Sequence, residues 1–525
     1  MLSGPCQAAE QESRLSEDEG ITLMFDEGFL SSSRRVLPIS QVAENVSVLT
    51  EQQIKQWNAH TLGDVITRVI GVYMDRYGTI GNYGPVGILG SDFRHVLVMI
   101  DGVEVSTTSD RHANLEFIPV HIIDRVEVIK GPASSAWGSS LGGVINVITK
   151  NPGERPISGF AHASYGSYAT YDTGAEIRGQ VNSLGYYLYG NHAHTNGSRE
   201  NTEFSGGNIH GKVIWDLGPS DSLSAAFGYS TFDEGSGAFN EEDIAFETES
   251  RFLYLSLKLD KRITEWLRSE LKFKYASFDS TLDVLELGQR SLLNRQDFDE
   301  VNRGLSLLFL GEAGKHDFAA GFEYKKGKVV SSALTGGGGD LEQWAFFANG
   351  TVRVGPLNIT PGIRYDDTST NGNNTSPSLG LACRISDNTV LKFYIAEGFS
   401  IPPLSTALAR TFTFAGNPDL EMERVTSYQG GIEFSPFQSV AAKVTAFLHN
   451  TRNTLVRVPA GSTTTEINSG KQRIQGFDAE IRASLPAGLF PYFAMAFIDS
   501  EDRETGMRIR GIAPRYLYNI GINYV

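Results

Sequence analysis

The chain has 525 residues, with 45 Lys and Arg against 61 Asp and Glu for a formal net charge of −16; it is 40% hydrophobic and 10% aromatic and carries 56 Gly. The aromatic content excludes a disordered chain, the glycine content argues against a helical bundle, and the acidic balance disfavours nucleic acid as a partner. No apolar run approaches the ~20 residues of a membrane-spanning helix, which excludes a polytopic helical membrane protein but not a β-barrel, whose strands hide the membrane signal in alternation.

Residues 1–35 read as a flexible N-terminal segment. Cys6 and Cys383 lie far apart and suggest neither a disulfide framework nor a zinc site. Cys6 has no apolar signal-peptide core before it. The stretch 7–33 is acidic, with Glu10, Glu12, Glu17, Asp18, Glu19, Asp26 and Glu27, and it holds two short apolar patches, Ile21–Phe25 and Phe29-Leu30. A solvated linker of this kind can carry a docking peptide that adds as a strand to a partner's sheet edge.

From residue 36 to 152 the pattern predicts a compact α+β domain. Val46-Ser47-Val48-Leu49 reads as a strand, and Thr50-Glu51-Gln52-Gln53 is a capping box that opens a helix. Thr61-Leu62-Gly63-Asp64 opens a second helix, with Leu62, Val65, Ile66 and Val69 on one face. Val96–Ile100 is a strong strand that turns at Asp101-Gly102 into Val103–Val105. Arg125–Ile129 and Val144–Ile148 are two further strands.

From 153 to 525 the texture becomes uniform: alternating segments of about 9–14 residues between turn residues, about 18 in all. Leu253, Leu255, Leu257 and Leu259 oppose Ser256, Lys258 and Asp260. Leu267, Leu271, Phe273 and Tyr275 oppose Arg268, Glu270, Lys272 and Lys274, and Tyr516, Tyr518, Ile520, Ile522 and Tyr524 oppose Leu517, Asn519, Gly521 and Asn523. Such lengths match the ~9–11 residues that cross an outer membrane at a tilt, and charged residues suit a watery inner face. The fold class is therefore mostly β, a large antiparallel transmembrane β-barrel preceded by a small α+β domain. Counting up from the periplasm puts the longer connections, Asp233–Thr248, Leu334–Asp340 and Phe399–Glu423, outside the cell.

The motifs at the end of the small domain are specific. Ile118–Pro132 (IPVHIIDRVEVIKGP), Ala133–Gly138 (ASSAWG) and Gly142–Lys150 (GGVINVITK) follow the strand Val96–Gly102, which ends Ile-Asp-Gly. In the large domain come Gly398-Phe399-Ser400-Ile401-Pro402-Pro403 and Gly416-Asn417-Pro418-Asp419-Leu420-Glu421-Met422-Glu423. Together, from about residue 27 onward, they resemble the TonB-dependent outer-membrane receptors, which implies that the N-terminal α+β domain is a plug inside the barrel lumen.

The resemblance implies a monomeric, energy-coupled receptor in the bacterial outer membrane, not an enzyme. Its ligand would be a scarce nutrient, a ferric siderophore first and a cobalamin-type corrinoid second, and its partners TonB and the inner-membrane energising complex. A passive porin or a barrel enzyme is the alternative of another class. The resemblance also implies a TonB box, placed by position at Glu27, Gly28, Phe29, Leu30, Ser31, Ser32 and Ser33, with Ile21–Phe25 as its rival.

Asp101, Gly102, Gly131, Pro132, Gly142, Gly143 and Asn146 would shape the plug. Ligand would meet the plug's upper loops, 75–93 and 106–116, where Arg76, Tyr77, Tyr83, Arg111 and His112 are available. The acidic stretch Asp233, Glu234, Glu241, Glu242, Asp243, Glu247 and Glu249 is a candidate Ca²⁺ loop, as in the vitamin B12 receptor branch. His192 and His194 share a strand face of open direction. The sequence departs from the family in having Leu89 and Lys130 where plug-locking arginines are usual, with Arg94 as a possible substitute. The family's barrels have about 22 strands. The expectation is that about four strands would follow Val525, the rival being a complete barrel of 18.

Overall fold

A computed structural model describes residues 28–30, 36–76, 81, 84–239, 243–411, 414–509 and 513–524. Two short strands, β1 (Gly28–Leu30) and β2 (Val36–Pro38), pair antiparallel through Gly28↔Pro38, Phe29↔Leu37 and Leu30↔Val36. The plug follows. Its strands are β3 (Val46–Thr50), β4 (Val72–Met74), β5 (Val86–Ile88), β6 (Val96–Ile100), β7 (Val103–Glu104), β8 (Ile123–Lys130) and β9 (Gly143–Thr149). Five of them form one sheet in the order β3-β8-β9-β6-β7, and β6 runs parallel to β9. The unbroken apolar run of β6 fits this place, because every one of its residues is buried.

Local chemistry sets the connections. Helix α1 (Glu51–Gln56) begins at the capping box, in which Gln53 N donates to Thr50 Oγ1 at 3.4 Å and Thr50 N donates to Gln53 Oε1 at 3.0 Å. Helix α2 (Leu62–Ile66) buries Leu62, Val65 and Ile66 completely against the sheet, each contributing roughly 1.5–3 kcal/mol. The β6–β7 turn puts Asp101 at φ 48° and Gly102 at φ 78°, the geometry that Asp-Gly hairpins favour.

Gly143 sits at φ 149°, and a Cβ there would lie 2.4 Å from the Ile129 carbonyl oxygen. Gly143→Ala is expected to lower plug stability by about 2–3 kcal/mol, read as an earlier plug transition in differential scanning calorimetry.

The remaining strands, β10 (Ser158–Tyr165) through β27 (Tyr516–Tyr524), form one 18-stranded antiparallel sheet in strict sequence order, with β10 and β27 as its edges. It curls round the plug, which touches strands from one edge of the sheet to the other: Glu176 near the first and Asn519 on the last. The alternation holds in three dimensions. Leu255, Leu257, Leu271 and Phe273 point outward, and Ile520 and Tyr524 are about four-fifths exposed at 80% and 77%. Ser256 and Asp260 point inward and are buried.

Strand length departs from expectation: β17 (Leu292–Ala313) has 22 residues. Outer hairpins continue the ladder where loops were expected. Strands β14 (Ser222–Phe239) and β15 (Ile244–Arg262) stay paired out to Phe239↔Ile244, so most of Asp233–Thr248 is strand rather than loop. The Leu334–Asp340 connection shrinks to a short turn before β19 (Gly338–Val354). Helix α3 (Ser134–Trp137) lies in the plug, and the described part of the third connection holds a short helix, α4 (Leu404–Leu408).

Candidate functional site

Above the plug lies a cavity of about 770 Å³. Plug residues 92–94 and 107–117 form its floor, strands β14, β15, β16 (Leu267–Glu286) and β17 one wall, and α4, Phe414, Arg457 and Glu466 another. Among the described residues, seven phenylalanines line it: Phe93, Phe117, Phe232, Phe246, Phe278, Phe298 and Phe414. Phe117 of the plug stacks on Phe232 of the wall. Arg457 lies 5.1 Å over the Phe414 ring.

The described lining holds five carboxylates, Asp92, Asp110, Glu234, Glu300 and Glu466, against two guanidinium groups, Arg94 and Arg457. Neither cation stands alone. Arg94 Nη1 donates to Glu466 Oε2 at 3.0 Å, and Arg457 Nη2 lies 3.6 Å from the same carboxylate. Burial lowers the Arg94 pKa, but Asp92, Glu423 and Glu466 outweigh it and hold the group above its ordinary range. Burial pushes Asp110 up against the opposing hydrogen bonds of Ser405 and Ser109. Glu300 accepts from the backbone N–H of Thr108 at 2.7 Å and of Ser109 at 3.3 Å, which pins the 106–116 loop to β17.

Of the candidate ligand residues, His112 reaches this lining, and burial takes its pKa down to about 4, so it is neutral. Arg76 and Arg111 do not line the cavity. Arg76 is drawn into the plug by Glu116, at 2.7 Å from Nε, and by Asp64, at 2.9 Å from Nη2. Arg111 is buried, with Nη2 donating to the Ser139 carbonyl at 3.3 Å and lying 3.8 Å from Glu104. Tyr77 and Tyr83 lie outside the described residues. Sequence reasoning missed the phenylalanines. Their signal was an apolar residue on an otherwise polar strand face, as at Phe232, Phe278 and Phe298.

A second constellation joins plug to wall. Lys130 Nζ lies 3.6 Å from Asp478 Oδ2 on β25 (Thr463–Ala483), with both side chains about 98% buried or more, and Asn45 Nδ2 donates to the same carboxylate at 2.6 Å. Leu89 is buried at φ 47° and carries no charge to the wall. Arg94 does, through Glu466. Glu423, which closes the Gly-Asn-Pro motif, accepts from the Leu455 N–H at 2.9 Å and bonds His95 Nε2 at 2.8 Å. Lys150–Glu176 at 2.9 Å and Lys212–Asp101 at 3.1 Å continue the seam.

The motif residues hold the plug's own chain. Asp101 accepts from Thr149 N and Oγ1 at 3.0 and 2.5 Å, and Asn146 Nδ2 donates to Glu127 at 2.9 Å. Gly131 N–H donates to the Gly142 carbonyl at 3.1 Å just before Pro132, closing the Gly131–Gly142 loop. A Cβ on Gly142 would meet Ser91 Oγ at 2.3 Å.

Within the candidate docking segment, Gly28–Leu30 is the strand paired to β2; Glu27, Ser31, Ser32 and Ser33 lie outside the described residues, as does Ile21–Phe25. In the acidic hairpin, Asp233 faces Glu249 across the ladder while Glu249 pairs with Arg251 and Glu247 with Arg290. Glu241 and Glu242 are outside the described residues. His192 and His194 share the outer face of their strand with Leu188, away from the lumen, because the inward register is taken by Tyr187, Tyr189 and Ala193.

Family models match both parts of the chain: the TonB-dependent Receptor Plug Domain over residues 38–144 and the TonB dependent receptor-like β-barrel over residues 152–525. A vitamin B12 transporter (BtuB) of Photobacterium profundum is 24% identical over 419 residues, covering 76% of this chain and 66% of the relative. One of Vibrio vulnificus is 26% identical over 442 residues, covering 78% and 68%. The chain thus spans about two thirds of these relatives' length. Among solved structures, a mutant ferric enterobactin receptor of Pseudomonas aeruginosa in complex with enterobactin superposes with a TM-score of 0.74 at 19% identity, over 92% of this chain and 85% of that one. The siderophore receptor PirA of Acinetobacter baumannii gives 0.74 at 18% identity, over 91% and 84%.

Proposed function

The chain belongs to the TonB-dependent outer-membrane receptors, and we propose that it captures a large, non-anionic nutrient chelate in the vestibule and admits it by energy-coupled displacement of the plug. The observation that carries the ligand class is charge. Five carboxylates line the cavity, and both of its guanidinium groups are already engaged by Glu466. A tris-catecholate ferric siderophore brings several negative charges of its own, and like-charge juxtaposition costs several kcal/mol. A corrinoid presents an apolar macrocyclic face to the phenylalanines and peripheral amide N–H groups to the carboxylates.

The relatives named as vitamin B12 transporters support the corrinoid reading. A ferric siderophore is the second reading, supported by the fold shared with siderophore receptors. In that case the vestibule selects neutral hydroxamate-type chelates over catecholates. A plug held inside the lumen by buried ion pairs favours a gated receptor over a passive porin or a barrel enzyme. The partner is TonB with its inner-membrane complex, taken up through the segment around Gly28–Leu30 by strand addition.

Equilibrium binding of the purified chain in detergent separates the ligand classes. Cyanocobalamin is expected to bind at least ~10-fold tighter than a ferric tris-catecholate, and the reverse order overturns the corrinoid reading. Phe117→Ala and Phe232→Ala are each expected to weaken binding of the preferred ligand by about tenfold, because their stack closes one side of the cavity.

A further inference from the structure

Away from the vestibule, three side chains converge where the plug meets the first two strands of the sheet. They are His121 of the plug, His162 of β10, and Asp172 of β11 (Tyr171–Val181), and their ligating atoms all lie within 4.8 Å of one another. The His121 and His162 rings are 3.9 Å apart between centroids and tilted by 30°. His162 Nε2 lies 3.5 Å from Asp172 Oδ1. Both His162 ring nitrogens are buried and make no hydrogen bond. Buried ring nitrogens left without a partner are unfavourable unless something else, such as a metal ion, satisfies them.

The surroundings are those of a supported ligand set. Asp172 is only 2% exposed; its Oδ2 bonds His60 Nδ1 at 2.9 Å, and its Oδ1 accepts from Asn191 Nδ2 at 3.2 Å. Outer partners of this kind fix the orientation of a metal-bound carboxylate. Gly174 is the cross-strand neighbour of His162, and a Cβ there would come within 2.6 Å of the imidazole Cε1. The ring therefore lies over the one residue type that leaves it room. Lys150, the nearby cation, is held by Glu176 at 2.9 Å and by Glu51 at 3.1 Å.

We propose that His121, His162 and Asp172 bind a divalent transition-metal ion of the Zn²⁺ class, tying the plug to the wall, with His60 and Asn191 positioning the carboxylate. Two imidazole nitrogens and one carboxylate oxygen suit that ion, and water or ligand completes a tetrahedron. The site is distinct from the nutrient vestibule and does not depend on which nutrient is carried. Its wall ligands come from β10 and β11, whereas Ile39 and Val46 of the plug's N-terminal stretch meet the wall at Lys392 and Lys443, which donate to their carbonyls.

The test uses the full chain in detergent micelles, freed of metal and titrated with Co²⁺. One equivalent of Co²⁺ is expected to give the visible ligand-field absorption of a tetrahedral site, displaced by Zn²⁺. His162→Ala and His121→Ala are each expected to weaken binding by about 100-fold, and His60→Gln by about tenfold. Heat-modifiable electrophoretic mobility verifies that each variant is folded, and the two histidine variants lie on different elements, so loss of one leaves the other as a test. His192→Ala/His194→Ala, on the outer face, is expected to leave the spectrum intact. Absence of tetrahedral absorption in the parent chain overturns the proposal. So does a spectrum unchanged in the folded His162 or His121 variant, or one abolished by the His192/His194 pair.

Discussion

A chain carrying Leu30→Pro is expected to bind its nutrient with unchanged affinity and to transport it at background, at least ~100-fold below the parent. The segment Gly28–Leu30 is held to β2 by a ladder of three residue pairs, Leu30 opposite Val36. A docking strand must leave that ladder and rebuild the same backbone pairing on a partner's edge. Proline removes the N–H that the new ladder needs and is tolerated in strands only at edges and bulges. The vestibule lies in another part of the molecule, so capture is untouched. Uptake of radiolabelled nutrient by cells, set beside equilibrium binding to the purified receptor, measures both halves. Leu30→Ala keeps the N–H and is expected to transport. Normal transport by Leu30→Pro would move the docking peptide to Ile21–Phe25, where Leu23→Pro becomes the deciding variant.

Asp478→Ala is expected to destabilise the plug by about 3–5 kcal/mol. Lys130 and Asp478 are both almost completely buried, and removing the carboxylate strands an ammonium group and the Asn45 amide in a site closed to water. Burial already pulls the Lys130 pKa below its ordinary value, against the attraction of Asp478, so the amine has little margin. Calorimetry should show the plug transition falling by about 10 °C or more. The double variant Lys130→Met/Asp478→Leu removes both charges and is expected to recover most of the loss, as replacing buried ion pairs by apolar groups generally does. An undisturbed transition in Asp478→Ala would mean that Arg94–Glu466 and His95–Glu423 carry the lock between them.

Where local chemistry decides, the sequence was readable. Leucines at 253, 255, 257 and 259 facing Ser256 and Asp260 could only be a strand with one wet and one apolar face, and the structure keeps that assignment. Eighteen strands were countable because each is bounded by turn residues. The Thr50 capping box and the Asp101-Gly102 turn needed only neighbours within a few residues.

The vestibule was not readable, because it is assembled by register. Phe117 meets Phe232 across 115 positions, and which inward residues share a level depends on the stagger of four strands. Arg76 looked available on an upper loop until Glu116, forty residues on, folded back to claim it. His121, His162 and Asp172 come together for the same reason, through the pairing of His162 with Gly174 and the approach of a separate domain.

The order of the plug sheet has a mechanical consequence. Strand β3 is an edge strand, joined only to β8 through five residue pairs. It is also the plug strand nearest in sequence to the proposed docking segment. A steady load applied at Gly28 therefore arrives at one margin of the sheet and peels it pair by pair, a low-force geometry compared with shearing the interior strands β9 and β6 all at once. The residues freed first, 39–50, are those seated on Lys392, Lys443 and Asp478. The corridor that such a pull vacates would run along that wall and would be lined by the amines and the carboxylate that had held the departed backbone.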